Sequence, residues 1–328
     1  MKSPITGKEM LLRHEASKVA FRKEEFSIVS HYYECGDSGE RFTDDRLDEL
    51  SIVQVHNQYR EKYGIPFPDE IRRIRERYGI SASKMSEILG LGANSYRLYE
   101  SGEVPSVAIG RLIMSIRNPE TFIQQVSASA CFLTAKEVAK LTLAAENLRA
   151  QPAQEAVFPS KLNGYRQPDL SKIAGIIAFF QGFLKSPLFK TKLNKLLFYT
   201  DFNTYKLTGY STTGLEYRAI QFGPVPSQFQ KMYVNLSETG QISIDEQYFG
   251  NGAYGDEINA KVAFDQTLFS PEELDVLEHV ANRYAKLSTD DIVKLSHEET
   301  GWMDNADQKA LINYRYAFEL RQGIKPIS

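Results

Sequence analysis

Residues 80–105 read ISASKMSEILGLGANSYRLYESGEVP, and this spacing predicts two short helices joined by a tight glycine turn, a helix-turn-helix pattern. Ser81 is placed to cap the first helix, Met85 and Leu89 fall four residues apart on one face, and Gly90 stands where the helix stops. Gly92 and Ala93 then open a second helix. On it Tyr96 and Tyr99 share an inner face, while Asn94, Ser95 and Arg97 project the other way near the helix start. From that position a recognition helix presents side chains to the major groove, and Asn and Arg have the bidentate geometry for adenine and guanine edges. Lys84, on the first helix, is a further basic candidate. The same spacing also suits an ordinary helical hairpin with polar residues on its wet side. Amphipathic stretches at 69–78 and 106–116 would complete the small bundle that a DNA-binding motif needs, and this favours the first reading.

A chain of 328 residues suits two or three domains. It has no apolar run of about 18 residues to span a bilayer. Its start, MKSPITGKEM, lacks the apolar segment of a secretion signal, so a cytoplasmic location is expected. Cys35 and Cys131 are the only cysteines, which excludes a disulfide scaffold and leaves no cysteine cluster for a structural zinc. The net charge of -3 rules out coating nucleic acid by bulk electrostatics. Any DNA contact must therefore be local. Arg72, Arg73, Arg75, Arg77, Lys84, Arg97 and Arg111 supply positive charge around the motif, offset by Asp69, Glu70, Glu76, Glu87, Glu100 and Glu103.

The organisation along the chain predicts an α+β multidomain protein. Residues 1–62 read as a small β-rich unit with a connecting helix from about Asp44, and residues 63–128 as the helix-turn-helix bundle. Thr134 and Glu137 make a capping box that opens a helix to about Arg149, and residues 151–168, with three prolines, read as a linker. Residues 169–328 then form a mainly helical domain with a small antiparallel sheet. Its expected elements are helices at 170–184 and 190–206, a strand at 216–222, and a stiff Gly223-Pro224-Val225-Pro226 turn. A helix capped by Ser227 and Gln230 follows, then short strands at 241–248 and 258–264, and a helix capped by Ser270 with Pro271 at its first position. A last helical piece begins at Ser288.

No G-x-x-x-x-G-K-S/T, G-x-G-x-x-G or G-x-S-x-G occurs, and the histidines His14, His31, His56, His279 and His297 are scattered. Glu298 and Glu299 beside His297 read as a solvated helix end, and Asp290 and Asp291 as first-turn carboxylates. The chain is therefore read as a non-enzyme with no cofactor and no bound metal. Aromatics are dense from Tyr165 to Tyr233. Most must be core, but Tyr199, Phe202, Tyr205 and Tyr210 cluster toward a helix end and a loop, where exposed anchors for another protein would sit. Pro224 and Pro226 of the stiff turn join them as candidates for that surface.

Two resemblances follow from these residues. Residues 1–126 resemble the MqsA-type antitoxins, which carry an N-terminal zinc ribbon with two C-x-x-C pairs and then a dimeric helix-turn-helix. Ser3 and Thr6 stand where that family has its first cysteine pair, and Cys35 and Ser38 stand at the second. Hydroxyls are poor zinc ligands beside a single thiolate, so the metal is not carried over. In the reading helix the family's Asn agrees at Asn94, whereas its arginine position holds Leu98 and Arg97 lies one earlier. Residues 169–323 resemble the SocA-like or Panacea domain through KLNKLLFYTDF at 192–202, Thr208-Gly209, the 216–226 strand with its GPVP turn, and Trp302. Together the resemblances imply an antitoxin that neutralises a protein toxin by direct contact through the C-terminal domain, and that represses its own operon as a homodimer on operator DNA. The alternatives are a stand-alone ligand-responsive transcriptional regulator, which needs a concave apolar pocket with a few convergent polar groups, and a protease adaptor.

Overall fold

The computed structural model describes residues 1–150, 157–184, 186–250 and 252–324. The architecture is α+β, with helices alongside small antiparallel sheets. The chain divides into two compact units: Met1–Gln54 together with Phe158–Ser328, and Val55–Val157. The partition differs from the order expected along the chain, because the amino-terminal segment groups with the C-terminal body instead of standing apart.

That segment is a three-stranded antiparallel sheet, β1 (Leu11–Phe21), β2 (Glu24–Glu34) and β3 (Arg41–Phe42), in the order β1-β2-β3. Arg22 and Lys23 join the long strands with φ of 47° and 70°, the left-handed pair of a type I′ turn whose twist matches that of a hairpin. Helix α1 (Asp45–Tyr63) follows, with the Asp44 carboxylate accepting from the Leu47 amide at 3.0 Å. The boundary between the units falls inside this helix.

The second unit is a helical bundle: α2 (Pro68–Glu76), α3 (Ala82–Ile88), α4 (Ser95–Glu100), α5 (Val107–Ser115), α6 (Pro119–Ala128) and α7 (Ala135–Arg149). Its core gathers Ile71, Ile74, Tyr78, Met85, Ile88, Tyr96, Ile113, Phe122, Val126 and Leu141. Helix α7 contributes Leu141 and Ala145 to this core, so it belongs to the bundle although the sequence set it beyond residue 128. The Tyr78 ring stacks on Phe122 at 3.6 Å and its hydroxyl donates to the Ile116 carbonyl, which satisfies the one polar atom that ring buries.

The C-terminal part of the first unit contains α8 (Leu170–Phe183), α9 (Lys190–Thr208), β4 (Tyr217–Ile220), β5 (Gly223–Pro226), α10 (Phe229–Glu238), β6 (Ile242–Gly250), β7 (Ala253–Ala260), α11 (Pro271–Val280), α12 (Thr289–His297) and α13 (Thr300–Met303). Helix α9 is its axis, with Lys192 to Tyr205 all buried. It stops at Gly209, φ +73°, where an added Cβ would lie 2.7 Å from the Val53 side chain, so both the conformation and the close approach require glycine.

Several local expectations differ from the structure. The GPVP segment is not a free turn: it is strand β5, paired with β4 in the register Tyr217↔Pro226 to Ile220↔Gly223. A proline-bearing strand is tolerated in a two-stranded ribbon, where a missing donor leaves no second neighbour unpaired. Helix α10 begins without a side-chain cap, so the Ser227–Gln230 capping box does not form. The second hairpin strand runs over 253–260 rather than 258–264. Of the expected linker, residues 151–156 lie outside the described residues, while Asn163 and Tyr165 are buried and the Asn163 side chain ties the Phe158 carbonyl and Ser160 amide.

Candidate functional site

In the helical unit the predicted turn is built by local chemistry. The Ser81 hydroxyl accepts from the Lys84 amide at 3.2 Å, and Gly90, φ +65°, ends α3 while the Leu91 amide returns to the Ser86 carbonyl. The buried Ser86 hydroxyl then accepts from the Tyr96 amide at 3.1 Å, so one serine fixes both helices. The Tyr96 hydroxyl reaches the Ile71 carbonyl at 2.9 Å, and Arg75 holds the largely buried Glu100 carboxylate at 2.6 Å. These contacts lock the inner face of α4.

Its outer face carries the candidates for reading DNA. Asn94 is exposed and is the cap residue of α4 rather than part of the helix, which starts at Ser95 instead of Gly92; its side chain makes no capping bond. Arg97 is exposed, Ser95 half-buried, and Leu98 exposed at 46%. Lys84 is committed elsewhere: its ammonium lies 2.6 Å from Glu87 and 3.0 Å from Glu137. Those two carboxylates offset its charge, so it is best understood as a clasp between α3 and α7.

At the amino terminus the four ribbon positions come together as a hydrogen-bonded knot. The Ser3 hydroxyl accepts from the Ile5 and Thr6 amides, and the Thr6 hydroxyl lies 3.3 Å from the buried Cys35 sulfur. Hydrogen bonds from Ser38 and Thr6 lower the Cys35 thiol to about 6. One thiol and three hydroxyls do not suit zinc, and no group of three potential metal-ligating side chains occurs among the described residues.

The C-terminal candidates require a correction. Tyr199 and Phe202 are fully buried and Tyr205 is 6% exposed; Pro224 and Pro226 are buried in β5, and Tyr210 is half-buried beneath the Arg166 guanidinium. None is an exposed anchor. The reason is that α9 is buried from Lys192 to Tyr205, so its polar residues there serve other elements and loops rather than solvent. Asp201 accepts from the Thr212 and Thr213 amides at 2.9 and 2.7 Å, from the Thr213 hydroxyl at 2.5 Å and from the Tyr217 hydroxyl at 2.7 Å. Burial raises its carboxyl to about 6 against the pull of those donors, leaving it mostly ionised at neutral pH. Lys195, lowered to about 7 by burial, donates to the Pro224 carbonyl at 2.9 Å, and Asn194 accepts from the Tyr233 hydroxyl. Tyr199 stacks on Tyr284 at 4.0 Å and donates to Glu299, whose carboxyl burial pushes up. Asn203 accepts from the Ile324 amide at 2.6 Å, and the Trp302 indole donates to the Ile220 carbonyl.

The exposed aromatics lie elsewhere. Tyr248 and Tyr254, 61% exposed and with rings 5.0 Å apart, sit with Phe249, 57% exposed, on the β6–β7 hairpin. Phe222, between β4 and β5, is 61% exposed. The described strands of the hairpin bear Asp245, Glu246, Asp256 and Glu257 and no Lys or Arg, although Lys190 pairs with Asp256. Sequence reasoning passed over this surface. The signal was available in an aromatic pair flanking an Asn251-Gly252 hairpin dipeptide, with acidic residues on both strands.

No helix among the described residues is long and apolar enough to cross a membrane. No curated protein and no solved structure matches the chain. Residues 193–303, from the buried motif of α9 to the α13 turn bearing Trp302, match the family described as the antitoxin SocA-like, Panacea domain; this stretch thus carries the pattern of an antitoxin domain, for which a toxin is the general partner.

Proposed function

We propose that this protein is the antitoxin of a type II toxin–antitoxin pair and that it neutralises a cognate protein toxin by direct binding through its C-terminal domain. The match of residues 193–303 to the SocA-like Panacea family carries this reading. The contact surface is the acidic aromatic hairpin with Tyr248, Phe249 and Tyr254, in place of the buried Tyr199, Phe202 and Tyr205. Exposed aromatics give large, stiff contact area, and the hairpin carboxylates of Asp245, Glu246 and Glu257 favour a partner with a cationic face. The helical unit represses the protein's own operon as a homodimer, reading operator DNA with Asn94 and Arg97. Support for that part is the exposure of both side chains at the start of α4 and the resemblance of residues 1–126 to the MqsA-type antitoxins. The protein acts by binding rather than catalysis, in the cytoplasm.

The test is growth rescue. The product of the neighbouring reading frame, once shown to be toxic alone, is co-expressed with the full chain carrying Asn94→Ala and Arg97→Ala. The whole chain is used because residues 1–54 share a unit with residues 158–328. Rescue by this operator-blind protein is expected. If only DNA-binding-competent protein rescues, neutralisation by contact is wrong.

A further inference from the structure

A cavity of about 410 Å³ lies within the first unit, between the β1–β2 hairpin and the segment that follows Tyr314. Its apolar wall includes Leu12, Leu320 and Ile324, and its polar side chains include His14, His31, Lys206 and Arg321, with no Asp or Glu among the described lining residues. The volume is that of a small-molecule site, and polar and apolar groups share the lining about equally.

Two of those groups have unmet needs. Lys206, in the last turn of α9, forms no ion pair with a described carboxylate; Glu299 acts on it only at longer range. An added Cβ at Gly323 would lie 2.8 Å from the Lys206 ammonium, so a residue without a side chain leaves that space to the amine. Burial holds Lys206 below its ordinary pKa, against the weaker opposing pull of Glu299. His31 is 4% exposed and its Nδ1 has no hydrogen-bond partner. Its ring packs 5.0 Å from Phe318 and 5.8 Å from His14, and burial lowers it to about 4, so it is neutral at pH 7. Arg321 is already engaged with Glu298 at 2.9 Å, leaving Lys206 as the charge to be met.

We infer that this cavity binds a small organic monoanion with an apolar body, its anionic head on Lys206 and its tail among Leu12, Leu320 and Ile324. The ligand supplies a close counter-ion that Lys206 does not find among the described residues, and its contacts join the amino-terminal hairpin to the end of α9 and residues 320–324 of the same unit. The inference is independent of the toxin. It gives the protein an input from small-molecule metabolism.

Octanoate, octanol and octylamine, titrated calorimetrically into the full chain at pH 7, provide the test. Octanoate is expected to bind, with octanol and octylamine at least tenfold weaker, since a charge-assisted contact is about twice as strong as a neutral one. Lys206→Met should lose at least tenfold in octanoate affinity, whereas Lys206→Arg retains binding and reports that the site is intact. The inference is overturned if octanoate gives no heat up to about 1 mM, if octanol binds as well as octanoate, or if Lys206→Met binds like wild type.

Discussion

Replacing Asp201 by Ala removes the acceptor for four buried donors at once. The Thr213 and Tyr217 hydroxyls can rotate toward other partners, but the Thr212 and Thr213 amides are fixed by the backbone and lose their only recorded acceptor. A buried donor left unpaired costs about 1–3 kcal/mol, so the two amides alone predict a loss of about 4 kcal/mol. That is a large share of the roughly 5–15 kcal/mol by which domains are stable. Trp302, the single tryptophan, lies in the same unit with its indole on the Ile220 carbonyl, so its fluorescence follows that unit in urea. With a urea slope of about 2–3 kcal/mol per molar, the midpoint should fall by roughly 1.3–2 M. Asp201→Asn keeps an oxygen for the two amides and should cost less than half as much. A midpoint for Asp201→Ala within about 0.3 M of wild type would refute the claim that this carboxylate ties the 212–217 loop to α9.

Four further outcomes are expected. Serine at Tyr248, Phe249 and Tyr254 together should abolish toxin neutralisation while leaving the urea midpoint near wild type, because all three side chains are exposed; retained rescue would move the contact surface elsewhere. Asn94→Ala and Arg97→Ala should each weaken operator binding by about 1–3 kcal/mol in a footprinting titration, whereas Lys84→Ala, whose charge is already offset, should leave it nearly unchanged. His31 is held neutral to about pH 4, below its unfolded value near 6.5, so the unfolded chain binds the extra proton between these values and stability falls as pH drops through that window. The loss should approach about 3 kcal/mol by pH 4, and a His31→Gln protein with the same acid sensitivity as wild type would contradict it. Wild-type protein should lose zinc on dialysis, while Ser3→Cys, Thr6→Cys and Ser38→Cys combined should hold about one zinc per chain; metal analysis of the two proteins decides this.

What could be read from the sequence was local. Ser81, Gly90, Tyr96 and Tyr99 announce their roles because caps, left-handed stops and helix faces are set within a few residues. The Thr134–Glu137 and Ser270–Glu273 capping boxes form for the same reason. What could not be read was set by distance along the chain. The face of α9 that carries Tyr199 and Phe202 is covered by Tyr284 and Tyr314, more than 80 residues away, so a pattern that resembles an exposed aromatic cluster is a core. The burial of Asn194, Lys195, Asp201 and Asn203 was equally invisible, because their partners Tyr233, Pro224, Thr212 and Ile324 lie in other parts of the fold. Proline's fixed φ restricts GPVP, yet its pairing with β4 depends on a neighbour that this restriction does not specify.

The grouping of residues 1–54 with residues 158–328 also bears on the order in which the protein is made. On the ribosome the β1–β2 hairpin emerges well before partners such as Phe318, which packs on His31. The helical unit between them is complete in sequence long before that and can fold while the hairpin waits. At about 5–20 residues per second the wait lasts many seconds, with the inner face of the hairpin open to chaperones or to another nascent chain. A ribosome that stops early thus releases a folded bundle attached to a sheet that has no partner. The unit closes only once the residues around Phe318 have been made, so any activity seated there arrives late and in one step.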